Sequence, residues 1–347
     1  MTVSYPPDNR VRQLNRQESD PMSTPRTSRP RRPLWVRALR TTSIFIAALI
    51  VFFSISATAN AAITRSEKAS LVPYGETVEV DGGSINVVRN GGSGPTMVLL
   101  SGYGTPAPGV DFAPLVRELD AFDVIVIEGF GYGYSDLDVA NRTIENITSE
   151  IHQVLAQLDV TSPVILVGHS MGGLYTHYYA NAYPGEVAAI IGIDPMTATT
   201  SSLEAGVPSG SDALVNQLGL LRVVTSLSPG LIQPPGDAYT ADERERTSAM
   251  TKWNYGNLSV SDEWAQTAAN STKAARLPLP SDVPVLEILS SESVDTIADW
   301  MQNHQAEIAN VTAHRLEVLD GAHYLHWTQA PALAQVMREF ITEYVTA

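Results

Sequence analysis

Gly168-His169-Ser170-Met171-Gly172 sets a serine between two glycines, each two residues away. A serine hydroxyl becomes a nucleophile only on a sharp, exposed turn with a base in reach. The glycines fit that need, because so tight a turn presses neighbouring backbones together. The chain has seven histidines to supply the base. His152 and His304 fall in expected helices, His314 begins a strand, His169 is inside the serine motif and His177 lies on the helix after it. His323 is different. It stands in Asp320-Gly321-Ala322-His323-Tyr324-Leu325-His326, a loop after the last strand-like run, held between small residues and a helix. We assign the base to His323 and read His326 as an adjacent packing or substrate-side residue. The chemistry implied is acyl transfer: His323 deprotonates Ser170, which attacks an ester-like carbonyl, and water releases the acyl group. That chemistry needs no metal and no organic cofactor.

These residues need strands to carry them. Val164-Ile165-Leu166-Val167 runs directly into the serine motif, and Leu174 to Pro184 reads as a helix closed by proline. Upstream, Glu76–Val80 and Ser84–Arg89 alternate around Asp81-Gly82-Gly83, a hairpin signal. Thr96–Leu100 is a continuous apolar run of the buried-strand type and Asp123–Ile127 another buried strand; Val187–Ile193 and Val283–Leu289 are the next strands, and His314–Leu319 is the last. Helices are expected over Phe112–Leu119, Thr143–Leu158, a stretch near Thr296–Ile308, and Pro331–Val345. Strands alternating with helices predict an α/β class, with a doubly wound, mainly parallel sheet. In such a sheet the carboxyl ends of the strands share one edge. Ser101–Pro106, Glu128–Asp136, Ser170, Asp194, Ser290–Asp295 and Asp320–His326 all follow strands, so they can meet there. From 196 to 282 the alternation stops. Short helical pieces, Ala213–Leu227 and Asp242–Tyr255, predict a helical lid inserted into the core.

Composition narrows the partners. With 44% apolar and 17% charged residues the chain is globular. Its net charge of −15 hides an asymmetry: residues 1–40 hold nine arginines and three acids, and the rest carries 13 basic against 34 acidic side chains. So acidic a body repels phosphates, which excludes nucleic acid as a partner. Cysteine is absent, which removes a thiol nucleophile and thiolate metal sites. Residues 1–33 read as a disordered basic arm. Between Arg40 and Arg65 there is no charge, and Ile44–Ala57 is strongly apolar. Ala57-Thr58-Ala59 and Ala59-Asn60-Ala61 resemble signal-peptidase sites, the long arm suits an uncleaved signal-anchor, and Arg31-Arg32 hints at a twin-arginine signal. Each reading leaves the arginines in the cytoplasm and exports the acidic body. The membrane is a partner through residues 41–62 if they are uncleaved.

The chain resembles the α/β-hydrolase fold superfamily over roughly residues 75–345. The resemblance rests on Gly168–Gly172 as nucleophile elbow and Gly321-Ala322-His323 as histidine loop. Ser101-Gly102-Tyr103-Gly104 stands where that family often has a His-Gly oxyanion segment, and Phe130–Asp136 is similar to its Gly-x-Gly-x-Ser loop. It implies an oxyanion hole from the backbone N–H groups of Tyr103 and Met171, and a triad acid. That acid usually follows the penultimate strand. Asp295, in Ser290-Ser291-Glu292-Ser293-Val294-Asp295 and 28 residues before His323, is the first choice. Asp194 is its rival one strand earlier, and Glu292 a third candidate. The chain therefore divides into a disordered basic arm over 1–40, a signal-anchor or signal peptide over 41–62, a core over 70–195 and 283–347 that the resemblance makes a hydrolase's, and a lid over 196–282. Serine at the elbow argues against the dehalogenase and epoxide-hydrolase branches, which use aspartate. Phe130, Tyr132 and Tyr324 are expected to bind a moderately apolar, ester-like small molecule. Peptidase, thioesterase and acyltransferase activities are alternatives on this fold, and a non-catalytic binding protein is a further one.

Overall fold

The computed structural model describes residues 1–4, 33–197 and 211–345; most of the basic arm and part of the expected lid lie outside the described residues. The chain divides into two compact units, residues 1–51 and 52–347. The helix α1 (Leu34–Ser70) begins in the first and continues into the second. It is the one helix among the described residues that is long and apolar enough to cross a bilayer, with a mean hydropathy of 2.1 over its best window.

The second unit is built on eight strands: β1 (Glu76–Val80), β2 (Gly83–Arg89), β3 (Thr96–Leu100), β4 (Asp123–Glu128), β5 (Val164–His169), β6 (Val187–Ile193), β7 (Val285–Ser290) and β8 (His314–Leu319). They form one sheet in the order β1-β2-β4-β3-β5-β6-β7-β8. β1 and β2 are the antiparallel hairpin, β2 also runs antiparallel to β4, and every later pairing is parallel. The helices are α2 (Pro108–Asp111), α3 (Ala113–Glu118), α4 (Ile144–Gln157), α5 (Gly172–Ala182), α6 (Ser211–Gln217), α7 (Leu220–Leu227) and α8 (Ala241–Asn254). They continue with α9 (Leu258–Ala274), α10 (Ser291–Thr296), α11 (Trp300–Ile308), α12 (Leu325–Thr328) and α13 (Ala330–Tyr344).

Two apolar layers cover the sheet, and the strand period assigns residues to them. Val98, Leu100, Ile125, Ile127 and Leu166 face the layer built with α4 and α5. Their neighbours Leu99, Val124, Val126, Ile165 and Val167 face the opposite layer, with α3 and α13. Both faces being buried explains why these strands are unbroken apolar runs.

Three helical stretches differ from the sequence reading. The expected helix Ala213–Leu227 is broken by Gly219, whose φ of +73° is a left-handed conformation glycine tolerates. The expected helix near Thr296–Ile308 is α11 and begins only at Trp300, after Asp299 takes φ +58°, while a separate helix, α10, ends at Thr296. α9 is an addition that the sequence reading does not contain. It buries Glu263, Thr267, Asn270 and Ser271 rather than an apolar stripe, so hydrophobic periodicity does not reveal it.

Candidate active site

Ser170 follows β5 directly and takes φ +51°, a strained conformation for a residue with a Cβ. The glycines around it have no room to be anything else. A Cβ on Gly168 would lie 2.6 Å from the Gly172 backbone, and one on Gly172 would lie 2.6 Å from the Leu100 carbonyl oxygen. The turn is tied down by the Ser170 N–H donating to the Ile193 carbonyl at 3.2 Å and the Met196 N–H donating to the Ser170 carbonyl at 2.7 Å. The serine side chain is half-buried.

His323 lies on the loop after β8. Its Nδ1 is 2.6 Å from Oδ2 of Asp194. This corrects the sequence expectation, which gave the contact to Asp295. The reason is local. β7 turns into α10 immediately after Ser290, so the face of α10 that meets Asp194 carries Ser293; Asp295, two residues and about 200° further round, is exposed. Glu292 is exposed as well and accepts the His323 backbone N–H at 3.1 Å, a contact to the loop and not to the ring. Asp194 takes φ +41° and is wholly buried. It accepts from the Ser290 N–H at 3.0 Å, the Ser290 hydroxyl at 2.9 Å, the Ser293 hydroxyl at 2.5 Å and Trp300 Nε1–H at 3.1 Å. Burial pushes its pKa up, but the hydrogen bonds from His323 and Ser293 and the neighbouring imidazole outweigh burial and hold it below the ordinary carboxylate range.

The histidine loop rests on the elbow. The ring of His169 lies 4.8 Å from that of His323, and its Nε2 is 3.3 Å from the His323 carbonyl oxygen. Burial, with the nearby His326 and His323, keeps His169 neutral by pushing its pKa well down, so its Nε2–H donates to that carbonyl. His326 packs as expected: its Nε2 meets Asp111 Oδ2 at 2.6 Å. The His323 Nε2 makes no hydrogen bond among the described residues, so its link to Ser170 is one the resting site has yet to make.

Among the described residues, the backbone N–H groups of Tyr103 and Met171 donate no hydrogen bond within the chain. Both residues are held by α9. Tyr103 packs on Trp264 with ring centroids 4.7 Å apart, and Met171 Sδ meets the Thr267 hydroxyl at 3.9 Å. Between them, the buried Glu263 accepts from the hydroxyls of Tyr132, at 2.5 Å, and Tyr175. Tyr132 in turn accepts the Gly104 N–H at 3.2 Å. Sequence reasoning missed Glu263, Trp264 and Thr267, together with Ser290, Ser293 and Trp300.

Of the three residues expected to bind substrate, Tyr132 lines a cavity of about 140 Å³ beside Tyr103, walled also by Met250, Tyr255 and Val260. Tyr324 is half-buried and stacks on Trp327 at 4.1 Å. Phe130 is a correction. It is fully buried in the core, with the Arg142 guanidinium 5.2 Å above its ring, and offers no surface to a ligand. Its loop is shaped from beneath by the buried Glu128, which accepts from Tyr74, Asn86 and the N–H groups of Gly109 and Tyr134.

Residues 95–330 match the family described as alpha/beta hydrolase fold. The chain belongs to that family, and it is an enzyme of the hydrolase class. It is 27% identical over 326 residues to the uncharacterized protein YbdG of Bacillus subtilis, covering 89% of this chain and 98% of that one. Solved structures share the fold at low identity. Epoxide hydrolase VrEH1 of Vigna radiata superposes with a TM-score of 0.61 at 19% identity, over 78% of this chain and 98% of that one. A thermophilic esterase of Thermogutta terrifontis gives 0.58 at 19% identity, over 78% and 99%.

Proposed function

We propose that this protein is a membrane-anchored serine hydrolase that cleaves an ester-like bond through an acyl-enzyme, with its catalytic body outside the cytoplasm. The observation that carries the reading is the 2.6 Å contact of His323 Nδ1 with Asp194, on a loop packed against the strained elbow of Ser170. Asp194 holds the Nδ1–H tautomer and stabilises the imidazolium; His323 Nε2 takes the Ser170 proton as Oγ attacks the carbonyl carbon. The oxyanion is met by the N–H groups of Tyr103 and Met171. His323 returns the proton to the leaving alcohol, then deprotonates the water that frees the acid and restores Ser170. A serine at the elbow favours this course over the nucleophilic aspartate of epoxide hydrolases, and the esterase of like fold agrees with it.

The test is labelling with a fluorophosphonate probe and turnover of a panel of nitrophenyl esters. Labelling and hydrolysis by the wild type, and loss of both in Ser170→Ala, are expected; hydrolysis surviving in Ser170→Ala free of contaminating esterase overturns the assignment. The anchor rests on nine arginines before an uncharged apolar run. A reporter enzyme fused at Ala347 should work outside the cytoplasm; one active only inside it contradicts the export.

A further inference from the structure

The part of α1 within the second unit does not project freely. Ser56, Asn60, Thr64 and Glu67 form one stripe along it, and α6 and α7 are bonded to that stripe. The Ser56 hydroxyl donates to the Leu218 carbonyl at 2.6 Å, and Asn60 Nδ2 donates to the Asn216 carbonyl at 2.9 Å. Arg222 donates to Asn60 at 2.6 Å, to Thr64 at 2.7 Å and through both terminal nitrogens to Glu67, at 2.7 and 2.6 Å. The approach is close: a Cβ on Gly219 would lie 3.1 Å from Asn60 Cβ. Trp253 of α8 adds an indole N–H to Glu67 at 2.9 Å.

Two consequences follow. Both candidate cleavage sites, Ala57–Ala59 and Ala59–Ala61, lie inside the docked stretch. Cutting there removes Ser56 and severs or frays Asn60. The second concerns α7. Its single charge, Arg222, is turned onto α1, and its other face is apolar and open to the outside: Val223 is 55% exposed, Val224 50%, Leu227 81%, and Leu231 just beyond 68%. The uncharged part of α1 between Arg40 and Arg65 is about 36 Å long as a helix, slightly more than the ~30 Å hydrocarbon core. Counted along the helix from Arg40, Asn60 then falls at the outer boundary of that core, about 30 Å away, and Ser56 about 6 Å inside it; α7 is bonded from that boundary outward, through Arg222 to Asn60, Thr64 and Glu67. An amphipathic helix at this depth buries its apolar face in the headgroup and upper acyl region. In water the same face stays exposed without gain.

We propose that α1 is retained as an uncleaved signal-anchor and that α7 lies in the outer bilayer interface, feeding the site with an ester-bearing amphiphile drawn from the membrane. The substrate part of this rests on the serine-hydrolase reading; the membrane seat of α7 does not. The route is short, since α6, which leads into α7, carries Asp212 on the wall of the cavity that Tyr103 lines.

The native chain has no cysteine, so single-cysteine variants of the full-length protein report one place each. Val223→Cys and Leu227→Cys are compared with Ser162→Cys, an exposed residue just before β5 at the opposite edge of the sheet. Each is labelled with bimane in phosphatidylcholine vesicles carrying nitroxide lipids. Quenching at 223 and 227 but not at 162, slow reaction there with a water-soluble maleimide, and a mature mass that includes residues 1–59 are expected. Equal reaction at all three sites without quenching overturns the proposal. So does protection without lipid quenching, which means that a protein covers the face, and so does a mature N-terminus near Asn60. For the substrate, the double variant Val223→Ser with Leu227→Ser should lose about tenfold on a long-chain nitrophenyl ester in vesicles, while a short soluble ester is turned over as by the wild type. Equal losses on both esters contradict the membrane route. A wild type that hydrolyses neither ester defeats the serine-hydrolase reading, and the quenching still decides where α7 lies.

Discussion

β6 and β7 are neighbours in the sheet, paired from Ile190 with Val285 to Ile193 with Ile288. Each leads into a segment bearing a carboxylate, yet only one carboxylate reaches the imidazole of His323. At the end of β6 the chain reverses sharply. Asp194 takes a left-handed φ, its N–H still donates to the Ile288 carbonyl at 2.7 Å, and its side chain is sealed inside. β7 runs two residues further and becomes α10, capped by the Ser290 hydroxyl on the Ser293 N–H at 3.0 Å. That helix start points Ser290 and Ser293 at Asp194 and sends Asp295 outward. The two strand ends are therefore complementary. β6 supplies the acceptor, and β7 supplies the donors that let it stay charged while buried.

The largest expected effect tests the acceptor. Asp194→Asn keeps the volume but can no longer hold the imidazole in its working tautomer or stabilise its charge. Turnover of a nitrophenyl ester should fall by about 10⁴, as for the same change in other triads, with circular dichroism unchanged. Near-normal turnover in Asp194→Asn together with a collapse in Asp295→Asn would reverse the comparison and give the role to α10.

Next is the donor side. Ser293→Ala removes the 2.5 Å hydroxyl and leaves Asp194 one partner short. A hydrogen bond to a buried charge contributes about 1.5–3 kcal/mol, so we expect that loss in urea unfolding at neutral pH and roughly a tenfold fall in turnover. The pH dependence has a definite sign. The Asp194 pKa is lowered on folding, so the stability it contributes is complete above the unfolded value of about 3.9 and is lost as pH falls through the folded one. Ser293→Ala moves the folded pKa back up. The stability gap between variant and wild type should therefore be widest at neutral pH and close in acid. A gap that stays constant down to acid would mean the serine acts through packing alone.

This pair of strand ends also marks how far the sequence could be read. The strands were legible because the central ones are apolar runs and the first two alternate about a turn, and Ser170 and His323 because their loops carry small residues that leave a side chain bare. The acid was not legible from spacing along the chain, since spacing does not tell which strand end kinks inward. A signal was present in Gly192-Ile193-Asp194-Pro195: a Cβ on Gly192 would lie 2.4 Å from Pro195 Cγ, so this glycine and proline belong to a tight reversal that aims Asp194. Glu263 was hidden for the opposite reason. It lies on a polar helix that becomes interior only because Tyr132 and Tyr175 meet it, a long-range pairing with no local pattern. Phe130 reads as a ligand contact because it is an aromatic residue on a loop at the carboxyl ends of the strands, but it is turned into the core with Arg142 over its ring.

The smallest expected effect is the one that isolates the comparison. Asp295→Asn changes a carboxylate of the same size, on the next strand end, at a position exposed to water on a six-residue helix. Exposed substitutions away from caps and buried pairs stay within about 0.5 kcal/mol, and no contact ties Asp295 to His323. Turnover should equal that of the wild type within about twofold, the same 0.5 kcal/mol expressed as a rate. Glu292→Gln is the informative neighbour. It keeps an acceptor for the His323 backbone N–H while removing charge from the loop, so a fall in turnover there, with Asp295→Asn silent, would mean that the carboxylate of Glu292 steadies the histidine loop by its charge. Silence in both leaves Asp194 as the one carboxylate of the two strand ends whose charge the imidazole uses.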